Sequence, residues 1–266
     1  MSAQETFQIP LETAEIYESK FVPALFADWA PHVVDMGAVA PGQSVLDVAC
    51  GTGIVARTAL GRAGAGGRVA GVDLNRAMLT VAGRVCPGVE LHEADVVALP
   101  FEDATFDAVL CQMALMFFPD RLAAVREMAR VVRPAGTVVL MVPSSLDAQP
   151  AYRLLVDLAA RHAGPEAVAM LSAYWACGDL DALVGTVEAA GLGVVSTRTR
   201  TGRARFASID EFVAVEVEST PVRERLTDAE YDALRREAGE ALRTFTAPDG
   251  TASIPIEGHL VAARPR

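Results

Sequence analysis

Ser44-Val45-Leu46-Asp47-Val48-Ala49-Cys50-Gly51-Thr52-Gly53-Ile54-Val55-Ala56, with Gly71-Val72-Asp73 further on, decides how this chain is read. The apolar run Val45 to Ala49 suits a buried parallel strand, and Gly51 and Gly53 let the backbone turn tightly against a ligand. Ile54 to Leu60 then opens a helix whose free N–H groups face that ligand. A second apolar strand, Arg68 to Val72, ends in Asp73, 20 residues beyond Gly53. That spacing sets a carboxylate beside a bound ribose, where its oxygens can accept both hydroxyl protons. The glycine-rich Gly61 to Gly67 is the turn between this helix and the second strand.

Dinucleotide dehydrogenases use nearly the same glycine turn for a pyrophosphate, so the flanks must separate the two ligands. Asp47 lies four residues before Gly51. A carboxylate there repels a pyrophosphate and attracts a sulfonium or ammonium. With Asp47 included, D-x-x-C-G-T-G resembles the first motif of class I S-adenosylmethionine-dependent methyltransferases, in the small bacterial group of type 11 and UbiE-like enzymes. Glu93-Ala94-Asp95-Val96 with Leu99-Pro100-Phe101 resembles the acidic loop after that family's third strand, and Phe106 to Cys111 its fourth strand. Pro119-Asp120 starts a helix, Arg133-Pro134-Ala135-Gly136 ends it, and Thr137 to Val142 is the expected fifth strand.

The resemblance implies an α/β fold: a Rossmann-like doubly wound sheet of seven strands, strands one to six parallel and strand seven antiparallel. It implies S-adenosyl-L-methionine as cofactor and S-adenosyl-L-homocysteine as product. Gly51, Thr52 and Gly53 would lie against the methionyl part, Asp73 on the ribose, and Leu74 and Met78 near the adenosine. Asp95 and the Val96 N–H would read the adenine, with Asp47 and Gln112 completing the cofactor shell. Tyr17 would close over the methionyl carboxylate.

The remaining chain supplies segments around that core. Residues 1–38 read as an N-terminal helical lid, where Tyr17, Phe21, Phe26 and Trp29 gather aromatic rings in a chain with 6% aromatics. The cofactor core spans 39–145, helices and the sixth strand 146–205, an inserted helical cap 206–253, and the last strand 254–266. Helices are expected over Tyr152 to Ala163, Gly178 to Ala190, Ser208 to Val217 and Thr227 to Phe245, and strands over Val194 to Arg200 and Ile256 to Ala263. The cap helices would rise over the carboxyl ends of the strands, where open α/β sheets place ligands.

The acceptor side is less defined. Phe21, Met113, Met116, Phe117, Tyr174 and Trp175 are candidate pocket walls, and thioethers at Met113 and Met116 point to a small, apolar acceptor such as a natural product. Methyl transfer from a sulfonium needs mainly alignment, which can supply roughly 7–11 kcal/mol. A general base is required only for a hydroxyl or ammonium acceptor, and His162, on the Leu155 and Leu158 face of its helix, is the candidate. His259 and Glu257 share one side of the last strand as an alternative acid–base pair. A bound cofactor that is not consumed, as in family members acting as cyclases or regulators, and a nicotinamide-dependent dehydrogenase are the competing readings.

Composition narrows the partners. A formal net charge of -11 argues against nucleic acid, and the locally basic Arg198, Arg200, Arg203 and Arg205 read as a solvated strand face and turn. No signal pattern opens the chain and no apolar run approaches the roughly 20 residues of a spanning helix, so a cytoplasmic protein without membrane attachment is expected. Cys50, Cys86, Cys111 and Cys177 have no C-x-x-C spacing and read as small core residues. His32 and His92 have no partners at ligand spacing, and no metal is expected. Monomer and homodimer remain equally open.

Overall fold

The computed structural model describes residues 8–164, 171–218 and 222–266. Residues 1–7 of the expected lid, and short stretches of the two segments after Val142, lie outside the described residues. Seven strands form one sheet: β1 Ser44–Val48, β2 Arg68–Asp73, β3 Glu90–Glu93, β4 Phe106–Gln112, β5 Val132–Pro143, β6 Leu192–Phe206 and β7 Ala252–Pro265. Their order is β3-β2-β1-β4-β5-β7-β6, with β7 antiparallel. β1 is buried from Val45 to Val48, which is why it reads as an unbroken apolar run and shows no alternation.

Strand order reverses between β1 and β4, the crevice where such sheets hold ligands. Register brings the tips level there: Val48 faces Val72, Asp47 faces Leu110, and Asp73 faces Glu93. The backbone is strained on both sides of the crevice, with Ala49 at φ 55° and Met113 at φ 51°.

The first unit comprises residues 1–142, 180–200 and 259–266. Its helices are α1 Leu11–Ile16, α2 Ala30–Met36, α3 Ile54–Ala63, α4 Arg76–Val85, α5 Arg121–Val131 and α7 Leu180–Ala189. The second comprises residues 143–179 and 201–258 and holds α6 Pro150–Ala163, α8 Ile209–Glu218 and α9 Asp228–Ala241. Each α8 residue buried by the helix falls on one stripe, Ile209, Phe212, Val213, Glu216 and Val217, and Glu216 is the only acid on it. The α9 start is a full capping box between Thr227 and Glu230.

Boundaries moved in instructive places. The sixth strand does not stop at Arg200: Gly202, Ala204 and Phe206 are buried while Arg203 and Arg205 are exposed, so the period-2 pattern continues and the expected turn at Arg203 and Arg205 is strand. The last strand likewise starts at Ala252 and ends at Pro265. Thr227 to Phe245 is α9 followed by a separate 3-10 turn at Arg243–Phe245. The ladder of β5 begins at Val132 opposite Phe106, then shifts register before Ala108 meets Thr137, so Pro134 and Gly136 lie within an irregular strand start.

Candidate active site

The glycine turn is built as a hydrogen-bonded unit with the tip of β2. Asp73 Oδ2 accepts the Gly51 N–H at 2.8 Å, and its Oδ1 accepts the Asn75 N–H at 2.8 Å. Cys50 donates its N–H to Val72 O at 2.9 Å, and Ala94 to Asp73 O at 3.2 Å, so the loops after β1, β2 and β3 are joined through backbone. Asn75 caps α4 by accepting from Ala77 and Met78. Gly53 has φ 88°, and a Cβ there would sit 2.5 Å from the Cys86 sulfur, so only glycine fits. Asp95 caps a single turn through the Val97 N–H, which holds Asp95 and Val96 at the end of β3.

Asp47 differs from its expected geometry. The sequence reading aims its charge at the ligand cleft, whereas its Oδ2 accepts the Ala56 N–H at 2.8 Å, inside the first turn of α3. A carboxylate four residues before the turn lies directly behind the helix N-terminus and caps it. Burial raises Asp47 from its ordinary 3.8 to about 8, and the Asp73 charge adds to the rise. Burial also raises Asp73, opposed by its backbone N–H donors. Among the described residues neither carboxylate has an Arg or Lys partner.

The N-terminal segment is tied across these strand tips. Gln8 Nε2 donates to Leu74 O at 2.9 Å, Arg84 bridges Glu15 at 2.6 Å, and Arg57 bridges Glu18 at 3.0 Å. A methyl on Gly51 would lie 3.8 Å from the Tyr17 hydroxyl, so Tyr17 rests on the glycine turn. Tyr17 packs on Phe21 and Phe26 at 6.0 and 5.1 Å between ring centres, and Gln112 Nε2 donates to Phe26 O at 3.1 Å. Tyr17, Phe21, Gly51, Asp73 and Gln112 therefore belong to one connected cluster. Gln8, Glu18, Arg57 and Asn75 were missed by sequence reasoning. Only Asn75 left a signal, as a cap residue before an apolar helix.

Among the described residues, Thr52 Oγ1 and Gln112 Oε1 are buried and lack partners. Buried polar atoms are normally paired, so both call for a ligand with donors. Together with a glycine that admits close approach, they fit an uncharged nucleoside carrying an amino acid. Met113 and Met116 are buried and Phe117 half-buried beside the β4 tip.

In the second unit, His162 Nε2 lies 3.2 Å from Glu237 Oε1, so this nitrogen is engaged by α9. Tyr174 and Trp175 stand on one 3-10 turn, and Trp175 packs edge-on against Tyr152 at 5.0 Å. Tyr152 donates to Glu216 at 2.8 Å. His259 Nδ1 pairs with Thr199 Oγ1 at 2.9 Å within the first unit, so the Glu257 pairing is not formed through that nitrogen. His92 packs edge-on against Phe101, and desolvation lowers His32. Among the described residues no group of three or more His, Cys, Asp or Glu could hold a metal ion.

A glycine turn at the switch point of a 3-2-1-4-5-7-6 sheet, bonded to an acidic β2 tip, defines a Rossmann-like nucleoside-binding domain. Residues 46–140 match the methyltransferase-domain family. A demethylmenaquinone methyltransferase from Bacillus licheniformis is 36% identical over 116 residues, 42% of this chain and 50% of that protein. One from Lysinibacillus sphaericus is 37% identical over 130 residues, 48% and 55% of the two chains. The chain spans about half the length of the curated relatives it matches. A solved methyltransferase-type structure from Bacillus halodurans superposes with a TM-score of 0.60 at 22% identity, covering 89% of this chain and 99% of that one, and establishes likeness of fold. The family match is confined to residues 46–140, about a third of the chain.

Proposed function

We propose that this protein transfers a methyl group from S-adenosylmethionine to a small, largely apolar acceptor. The observation that carries the reading is the Asp47 carboxyl on the Ala56 N–H. In a dinucleotide enzyme the first turn of this helix receives a pyrophosphate. Here a side chain of the protein itself takes that position, and a second acid, Asp73, lies within electrostatic reach. A phosphate would find that N–H already taken, whereas a ligand with a sulfonium and an ammonium would favour the ionised form of Asp47 and gain from both groups.

The cofactor supplies an activated methyl group when bound. Asp73 would hold the ribose hydroxyls with lone pairs left over from Gly51 and Asn75, since a carboxylate offers about four acceptor positions. Leu74 and Met78 would flank the adenosine, with Asp95 and Val96 at the adenine. Gln112 Oε1 and Thr52 Oγ1 would take donors from the amino-acid part, under Tyr17. Phe21, Met113, Met116 and Phe117 would exclude water from the methyl and face the acceptor. Among the described residues no helix is long and apolar enough to cross a membrane, and all four cysteines are buried.

Calorimetric titration with S-adenosylhomocysteine and NADH tests the assignment. Saturable binding of the first, with no heat from the second, is expected; NADH binding with no response to S-adenosylhomocysteine would replace this reading by a dehydrogenase.

A further inference from the structure

The second unit holds a buried acid that the cofactor chemistry does not use. Glu216 lies on the apolar stripe of α8, is 6% exposed, and accepts the Tyr152 hydroxyl at 2.8 Å. Tyr152 is wrapped by rings, edge-on to Trp175 at 5.0 Å and to Phe212 at 5.3 Å, and Phe206 packs on Phe212 at 5.2 Å. Tyr174 lies within electrostatic reach of Glu216. The Trp175 indole N–H is buried and donates to no acceptor among the described residues.

The unanswered Trp175 N–H is a group that stability alone leaves unexplained, because a buried donor without an acceptor is costly. Aromatic faces around a carboxylate suit a cation, which gains from the ring quadrupoles as well as from the opposite charge.

We infer that this interior binds a protonated amine on an aromatic or aliphatic body, with Glu216 as counter-ion and the Trp175 N–H donating to a second polar atom of the ligand. The inference stands apart from the methyltransferase reading. Burial raises Glu216 from 4.5 to about 7, so near neutral pH it can also act as a proton acceptor.

Calorimetry on the full chain with three probes tests the site: phenethylamine (amine alone), phenylalaninamide (amine and carbonyl) and 3-phenylpropanamide (carbonyl alone). Phenylalaninamide is expected to bind at least tenfold more tightly than 3-phenylpropanamide, and Glu216→Gln, which still accepts from Tyr152, should bring the two within about twofold. Trp175→Phe keeps the ring and should weaken phenylalaninamide about fivefold while leaving phenethylamine unchanged, which decides the matter should Glu216→Gln fail to fold. Absence of amine binding, equal binding of the two amides, or a preference that survives Glu216→Gln overturns the inference. S-adenosylhomocysteine titrated into the same samples reports on the cofactor reading separately.

Discussion

Asp47 and Glu216 are both fully buried acids raised by desolvation, yet they sit in opposite kinds of surroundings. Asp47 is answered by a backbone N–H in a turn where nearly every contact runs through main chain: Gly51 to Asp73, Cys50 to Val72, Ala94 to Asp73. Glu216 is answered by a tyrosine hydroxyl among side-chain rings. Backbone wiring fixes a site that many sequences can share, because it depends on glycine placement and strand register. Side-chain wiring belongs to one sequence. The strand tips are thus where a common cofactor is expected to be held, and the ring-lined interior is where this chain can be particular.

The sharpest way to break that comparison is Asp73→Ala. It removes the acceptor that organises the glycine turn and the proposed ribose contacts at once, and S-adenosylhomocysteine affinity should fall at least about 100-fold, the scale of two charge-assisted hydrogen bonds. Retained affinity by calorimetry would show that the nucleoside does not sit at the β2 tip. Gly53→Ala should act next most strongly and through folding. A φ of 88° disfavours alanine and its Cβ would clash with Cys86, so a loss of about 2 kcal/mol is expected, read as a lower midpoint in urea or heat.

How far the sequence could be read follows the same division. Gly51, Gly53 and Asp73 were legible because turn geometry and strand ends dictate residue type there. The seven-stranded sheet with an antiparallel last strand followed from the resemblance carried by those motifs. Asp47 was found but aimed wrongly, since spacing gives a position along the strand and not which donor the carboxyl meets. Tyr17 was expected over the methionyl carboxylate and rests on the turn, while Glu18 and Arg57 were not anticipated, because pairing across 39 residues leaves no local pattern. Glu216 stood in plain view as an acid on the stripe of Ile209, Phe212, Val213 and Val217. A single charge in an apolar face is easily passed over when the helix itself is the object of the reading.

The two acids make the same demand on pH, and Asp47, with the larger rise, makes it more strongly. Asp47 ionises near 3.8 when unfolded and near 8 when folded, so between about pH 4 and 8 the folded chain holds a proton that the unfolded chain has lost. Stability therefore falls as pH rises through that window, by up to about 1.4 kcal/mol per pH unit, and levels off above 8. Asp47→Asn keeps the acceptor for Ala56 and should flatten the slope of melting temperature between pH 5 and 8; an unchanged slope would mean that Asp47 is ionised in the folded protein. A cation beside Asp47 favours its ionised form, so binding of S-adenosylmethionine should release a proton. Its affinity relative to uncharged-sulfur S-adenosylhomocysteine should rise between pH 6 and 9, by about tenfold at most, and a flat ratio would place the sulfonium away from Asp47.

The smallest effect tests whether the N-terminal segment belongs functionally to the strand tips. Glu18 and Arg57 are each about a quarter or less exposed, and Arg57 also reaches Thr52 O at 3.4 Å, so the pair links the segment carrying Tyr17 to the turn carrying Gly51. A partly exposed ion pair contributes about 1 kcal/mol or less. Glu18→Gln should accordingly raise the dissociation rate of S-adenosylhomocysteine about threefold by stopped flow and leave its association rate nearly unchanged, because the segment would open more readily over a bound ligand. The wild-type dissociation rate should climb with salt toward that of the variant, whose own rate should respond less, since screening weakens the same ion pair. Equal rates in the two proteins at every ionic strength would show that the Glu18–Arg57 bridge does not hold the segment over the site.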